Sequence, residues 1–409
     1  MKTYVWALYA SLLLYSCGAN STNRQDNKED ASTEQTQKAK KKQGLVTLDV
    51  TKDYPEKKIV LQDLADVKYI PLETKKNALL TNSTAMLGYV SDSLIVAFTL
   101  EKEIVLFNGD GSVRSSFSHA GQGSKEYQNI IGMAVDPKAQ EIFIVDYLLK
   151  YRMQVYSFTG QYKRTLPIPF KMILGSILDF SADYLLACDR DVDQKGISNR
   201  AKPYMLLSKK TGEIVKELDI HFTKRMSNRL SKPFGKNQTI SAALAYDPIV
   251  RCEDSYVIGD LSADTIYTYT LQGILSPMLV RTPPVLSMET PKVLLPDYRA
   301  GSYFFFYLVD FEFDFETRTG FPDKYMVYDY AVGKTYVCKL VNRDCEEQEI
   351  QLGDGGVTNK AWNTACYTIP SSMLIEQSEA GKVYGPLKEI AAGRTDDDNP
   401  VLVIVRFKN

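Results

Sequence analysis

The chain has 409 residues with 49 basic and 50 acidic side chains, a formal net charge of −1. So even a balance supplies no global field for nucleic acid, and none is expected as a partner. Only two histidines, His119 and His221, are present. That excludes His-rich metal sites, and any Ser-His-Asp triad would have to use one of the two.

The N-terminus has one basic side chain, Lys2, and then an apolar run from Tyr4 to Tyr15 that is too short to span a bilayer comfortably. Residues 1–16 therefore predict a signal peptide. It closes in Leu14-Tyr15-Ser16-Cys17, which resembles the bacterial lipobox, where a small residue precedes the lipidated cysteine. A lipidated Cys17 would anchor the protein to a membrane, because each buried methylene contributes about 0.8 kcal/mol and several acyl chains hold firmly. The expected address is the cell envelope, at the outer membrane, either periplasmic or surface-exposed. Residues 17–43 are almost wholly polar and charged, so they cannot bury enough surface to offset the entropy of ordering, and they predict a disordered tether.

From residue 44 to 409 the chain repeats. Five segments each carry an alternating apolar stretch, a turn with glycine and a second stretch, and their glycines are Gly111, Gly160, Gly212, Gly273 and Gly333. The intervals are 49, 52, 61 and 60 residues. Each segment predicts a β-hairpin whose glycine supplies the positive φ of a tight turn. Upstream of each lies a more continuously apolar run: "SLIVAF", "EIFIVDY", "YLLACDR", "SYVIGDL" and "YFFFYLVDF". Runs apolar on both faces suit inner strands sandwiched between neighbouring sheets. A sixth, "VLVIVRF" at Val401 to Phe407, has no hairpin after it, and the N-terminal "GLVTLDV" and "VKYIPLE" are available to complete it. The pattern predicts an all-β fold, a six-bladed β-propeller of four-stranded blades closed by strands from both termini. Two insertions have helical character, Ser371 to Arg394 and, shorter, "METPKVLLPDYRAG".

Residues "LADVKYIPLET" and "IVLFNGDGSVRSSFSHAGQGSKEYQNIIGMAVD" resemble the TolB-like six-bladed propeller lipoproteins of Bacteroidota, and "GMAVDPKAQEIFIVDYLLKYRMQVYSFTGQYKRTL" is similar to an NHL-type repeat. The resemblance implies fold and address more than chemistry. In that family the loop reads Gly-x-Gly-Pro-Gly-Glu-Tyr; here Ser124-Lys125 replaces Pro-Gly, while Gly121, Gly123, Glu126 and Tyr127 remain. The stretch lacks the spacing of a phosphate loop and runs into a strand rather than a helix. It is expected to pass from one blade's outer strand to the next blade's innermost strand, near the channel, either as a plain turn or with Glu126 and Tyr127 binding a ligand.

Register places Asp146, Asp189, Asp260 and Asp310 at one position after the apolar run, with Arg406 there in the sixth repeat and Phe98 in the first. Two readings stay open. The carboxylates could form a ring for Ca2+ or a polyhydroxylated ligand, helped by the adjacent Tyr147 and Arg190. Alternatively, each aspartate caps its own turn by accepting backbone N–H groups. Glu126, Asp146, Asp260 and Asp310 supply the residue types with which lactonase-type propellers hold calcium, without a matching motif. His119 is the better placed histidine, and no nucleophile elbow or His-Glu-x-x-His is present. Of the cysteines beyond Cys17, Cys338 and Cys345 flank "KLVNRD", where a local disulfide is conceivable in an exported protein. The expected function is an envelope-anchored binding or scaffolding lipoprotein that recognises a small ligand, glycan, peptide or envelope protein on its channel face and needs no cofactor. The alternative is a divalent-cation-dependent hydrolase or lactonase-like enzyme.

Overall fold

The hairpin glycines set the frame. All five expected turn glycines have positive φ, from 67° at Gly333 to 87° at Gly111, where L side chains are strained. In the computed structural model, which describes residues 44–80, 86–99, 101–148, 151–169, 172–192, 200–222, 224–234, 238–346, 349–352 and 364–408, each of these turns joins the third and fourth strands of a blade. Residues 1–16, Cys17 and the tether to residue 43 lie outside the described residues.

In chain order, the N-terminal segment forms β1 (Val46–Asp49), β2 (Glu56–Val60), the single helical turn α1 (Leu61–Leu64) and β3 (Ala65–Pro71). Blade 1 is β4 (Met86–Val90), β5 (Leu94–Phe98), β6 (Ile104–Asn108) and β7 (Val113–Phe117). Blade 2 is β8 (Ile130–Asp136), β9 (Glu141–Asp146), β10 (Arg152–Ser157) and β11 (Tyr162–Pro167). Blade 3 is β12 (Ser176–Asp179), β13 (Tyr184–Cys188), β14 (Tyr204–Ser208) and β15 (Ile214–Glu217), and a separate hairpin follows, β16 (Arg229–Phe234) with β17 (Gln238–Ala243). Blade 4 is β18 (Ile249–Arg251), β19 (Ser255–Ile258), β20 (Thr265–Thr270) and β21 (Leu275–Thr282). Blade 5 begins with β22 (Lys292–Ala300) and β23 (Tyr303–Asp310), carries a small hairpin of β24 (Phe313–Asp314) and β25 (Thr319–Gly320), and finishes with β26 (Asp323–Asp329) and β27 (Lys334–Val341). Among the described residues blade 6 has three strands, β28 (Ala365–Ile369), β29 (Val401–Phe407) and β3, with helices α2 (Ser371–Glu379) and α3 (Gly385–Ala391) inserted between the first two. The protein is a six-bladed β-propeller of mostly four-stranded blades.

Three details correct the sequence reading. The doubly apolar runs are the second strands, not the innermost: β9 and β19 are buried along their whole length, and β5 nearly so. Each is preceded by a further strand, some only three or four residues long, such as β18 and β12, which is too short for hydrophobic periodicity to register. The N-terminal segment does not give two strands to the last blade. Only β3 does so, pairing antiparallel with β29, while β1 and β2 add in parallel to the outer edges of blades 4 and 5, beside β21 and β27. The segment thus runs along three consecutive blades and covers two sheet edges. Finally, "METPKVLLPDYRAG" contains β22 rather than a helix; Pro296 is tolerated because it lies on the inner edge strand, where the register with β23 shifts between Pro296 and Tyr298. The Ser371 to Arg394 insertion is helical as expected, and α3 packs on β3, the outer strand of the three-stranded blade.

A buried amide latches the C-terminal part of the chain to the segment after β3. Asn399, fully inaccessible, accepts the Leu80 N–H at 2.7 Å and donates to the carbonyls of Glu73 at 2.8 Å and Ala78 at 2.7 Å. Every hydrogen bond offered by this buried side chain is used, which makes the closure specific as well as apolar. The largest core cluster runs through blades 4, 5 and 6, with Phe304, Phe305 and Phe306 all inaccessible, each worth about 1.5–3 kcal/mol on burial.

Candidate functional site

Within each blade the second strand returns to the end where the first one begins, so two kinds of connection share one face of the propeller. Ile130 pairs with Asp146, Ser176 with Cys188, Ile249 with Ile258 and Lys292 with Asp310. The four repeated aspartates therefore do stand at one level, beside the segments that arrive from the preceding blade.

Most of their oxygens are occupied locally. Asp146 accepts the backbone N–H of Asn129 at 2.9 Å and of Leu148 at 2.6 Å, and that of Gln128 as well. Asp189, inaccessible to solvent, accepts the N–H groups of Ile173 and Asp191, both at 3.0 Å. Asp260 accepts the Ser262 N–H at 2.9 Å with one oxygen; with the other it accepts the Tyr204 hydroxyl at 3.1 Å and the Arg225 guanidinium at 2.9 Å. Asp310 is half-exposed and pairs with Lys292, and Arg406, exposed near the end of β29, pairs with Asp92. These are turn caps and ion pairs. Among the described residues no group of three or more Asp, Glu, His or Cys side chains gathers where it could hold a metal ion.

The glycine-rich stretch from His119 to Ile130 connects the outer strand of blade 1 to the innermost strand of blade 2, as its sequence suggests, but it lies against the third strand of blade 2 rather than at the channel mouth. Arg152, Gln154 and Tyr156, alternate residues on one side of β10, donate to the carbonyls of Gly123 at 3.3 Å, Ser124 at 2.9 Å and Lys125 at 2.6 Å. Glu126 folds back and accepts the Gly123 N–H at 2.7 Å. A Cβ on Gly121 would stand 2.0 Å from its carboxylate, which is why glycine is needed there. Tyr127 is fully buried; its hydroxyl accepts the His119 N–H at 3.1 Å and donates to the Lys102 carbonyl at 3.0 Å. The ligand-facing role expected of Glu126 and Tyr127 gives way to a wedge between two blades. His119 belongs to the same wedge, with its Nε2 2.6 Å from the Gly160 carbonyl and its ring stacked 4.9 Å from Tyr156.

Residues that sequence patterns did not single out complete the face. Arg225 is almost inaccessible and bridges Asp260 and the Asp189 carbonyl, the latter at 2.9 Å. Burial, then the Asp260 carboxylate, pushes the Tyr204 phenol well above its ordinary value. Arg190 lies over the Tyr246 ring at 4.7 Å. Between β9 and the segment leading into blade 3, a shallow pocket open to solvent is lined by Asp146, Tyr147, Tyr151, Ile168, Met172 and Ile173, among others. Tyr147 is 40% and the adjacent Leu148 57% exposed, and Tyr151 adopts φ 67°. Tyr151 and Met172 left no sequence signal, because a left-handed tyrosine and the approach of two loops are set by the packing of blades. At the opposite end, the buried Lys209 joins Asp136 of blade 2, at 2.6 Å, to Asp179 of blade 3. The five cysteines from Cys188 to Cys366 are buried free thiols, so Cys338 and Cys345 form no local disulfide.

A family model described as Domain of unknown function (DUF4934) matches residues 45–281. No curated protein matches the chain. Among solved structures, a protein of Bacteroides fragilis NCTC 9343 named as exported is similar with a TM-score of 0.59 and 13% identity, covering 90% of this chain and 100% of that one. A member of the duf4221 family from Bacteroides vulgatus is similar with a TM-score of 0.46 and 11% identity, covering 84% of this chain and 97% of that one.

Proposed function

The chain belongs to the DUF4934 family, and from that premise we propose that it is an envelope-anchored binding propeller that holds a neutral group of its ligand or partner on the face bearing Asp146 and Tyr147. The observation that carries this reading is the pocket beside β9. Its one carboxylate, Asp146, already accepts three backbone N–H groups, which leaves tyrosine faces and an aliphatic floor as the recognising chemistry. The recess is shallow and open to solvent, so it suits the edge of one group rather than a whole cofactor. The lipobox-like Ser16-Cys17 and the similarity to a Bacteroides protein named as exported support an envelope address. The resemblance to TolB-like lipoproteins fits the same reading.

The cation-dependent hydrolase is the weaker reading, because its carboxylates would have to converge while those of Asp146, Asp189 and Asp260 are spent on separate turns. Thermal unfolding of the wild type and of Tyr147→Ala with neutral oligosaccharides, with peptides ending in an aromatic residue, and with calcium or chelator separates the two. A ligand at 100 times its Kd stabilises by about 2.7 kcal/mol. Stabilisation by a neutral ligand, lost in Tyr147→Ala, is expected. Stabilisation by calcium that disappears in Asp146→Asn would replace this proposal with the metal site.

A further inference from the structure

The hairpin β16–β17 stands apart from every blade. It forms its own two-stranded sheet; its base is held where Leu230 and Met226 pack on the cluster of Leu244, Leu261 and Val293, and Lys232 makes a further contact to Glu316 at 3.9 Å. Beyond Leu230 almost every residue of both strands is exposed, including Phe234 at 62%. An isolated two-stranded hairpin is marginally stable in water, and a third strand adds to it readily.

Its two edges differ. The Leu244 N–H donates to the Asn228 carbonyl at 2.9 Å, which fixes the alternation of the ladder above it. With Arg229 opposite Ala243, Ser231 opposite Ser241 and Pro233 opposite Thr239, these three pairs are the ones whose backbone groups point outward. The short 2.8 Å contact between the Ser231 and Ser241 hydroxyls agrees, because side chains stand closest at such pairs. On β16 the outward edge is guarded: Pro233 has no N–H, the Arg229 N–H donates to the Ser227 hydroxyl at 3.2 Å, and Lys232 lies between them. On β17, "QTISAA", no charge and no proline interrupts the outward N–H and C=O groups of Thr239, Ser241 and Ala243. Unguarded edges of this kind are the templates for strand addition.

We propose that β17 is a docking edge for an extended, acidic segment of a partner protein, which adds to the hairpin as a third strand. Charge selects the occupant. From Ser227 to Tyr246 the sequence has three basic residues, Arg229, Lys232 and Lys236, and no acidic one, in a chain whose overall charge is −1. A second copy of the hairpin would bring like charge, whereas an acidic strand on β17 is attracted by Arg229 and Lys232 of the adjoining β16, the latter shared with Glu316. The inference rests on the reading of this protein as a binding propeller but uses a different part of its surface from the Tyr147 pocket.

The test is fluorescence anisotropy of the full chain with a labelled synthetic peptide alternating Glu with Val and Thr. Companion peptides carry Lys in place of Glu, or N-methyl groups on alternate backbone amides. The acidic peptide should bind, and N-methylation should weaken it about tenfold or more, because the main-chain bonds of strand addition are then lost. Ser241→Pro removes an outward donor without removing a backbone bond between β16 and β17 and should weaken binding similarly, whereas Ser241→Ala, which loses only the hydroxyl contact to Ser231, should leave binding unchanged. Lys232→Glu should weaken it and flatten its salt dependence. Tyr147→Ala should leave it unchanged; loss of peptide binding in that variant would overturn the hairpin site while leaving the pocket in place. Equal affinity for the N-methylated peptide, no binding of the acidic peptide, or binding only to phosphatidylglycerol vesicles regardless of Ser241→Pro would each overturn the proposal.

Discussion

Arg225 and Asp260 form a buried ion pair, Nη2 to Oδ2 at 2.9 Å, although Arg225 comes from the connection between blades 3 and 4 and Asp260 from the loop after the second strand of blade 4. The same guanidinium donates to the Asp189 carbonyl, so one side chain ties two blades to the long connection between them. Removing one member of a buried pair strands the other charge in a low dielectric. Arg225→Met should destabilise the Gly44–Asn409 unit by about 3–5 kcal/mol, and Arg225→Met with Asp260→Leu should recover much of the loss. Urea denaturation of the single and double variants measures both. A double variant as unstable as the single one would mean that packing, not charge, is what Arg225 provides.

Asp189 gives a pH signature. Burial raises its carboxyl above the ordinary carboxylate range, only partly offset by the N–H groups of Asp191 and Ile173. The native state then holds this proton more tightly than the unfolded state does. Stability attributable to Asp189 falls as pH rises from the ordinary carboxylate value through the raised one, and is flat above it. Asp189→Asn keeps an acceptor for the two N–H groups and abolishes the ionisation, so this slope should vanish in that variant. Unfolding free energies measured from pH 4 to 8 would show it; parallel curves for variant and wild type would refute the assignment.

Two hairpin glycines separate conformational strain from crowding. At Gly111, with φ 87°, an added Cβ would stand 2.3 Å from the Pro71 carbonyl oxygen at the end of β3. At Gly273, with φ 78°, the nearest atom is the flexible Lys216 amine at 3.4 Å. Gly273→Ala should cost about 1–2 kcal/mol, the left-handed penalty alone. Gly111→Ala should cost clearly more, because it pushes on the strand that closes the ring. Comparable melting temperatures for the two variants would contradict this.

The thiols offer a simple probe of packing. Burial pushes Cys188 and Cys338 up to about 12, and Cys252, Cys345 and Cys366 are also buried and free. In the folded Gly44–Asn409 unit at pH 8 all five should react with a thiol reagent only as fast as the protein opens, and all five should react at once in denaturant. Its electrophoretic mobility should not change with reductant, whereas a shift would indicate a Cys338–Cys345 bridge.

The blade count, the five positive-φ glycines and the placing of the four aspartates at one level were legible in the amino-acid sequence, because each depends on local physics repeated at intervals of 49 to 61 residues. Alternation, turn chemistry and double-sided burial need no partner to be recognised. What Asp146 and Glu126 do was not legible, since both the cap and the ligand reading use the same residue types in the same places. Packing chose between them, by bringing the N–H groups of Gln128, Asn129 and Gly123 to those carboxylates. Other features depend on segments far apart in the chain, and no local pattern records which strand a segment will find as its neighbour. Among these are the parallel addition of β1 and β2 to blades 4 and 5, the reach of Arg225 to Asp260, and the guarded and unguarded edges of β16 and β17.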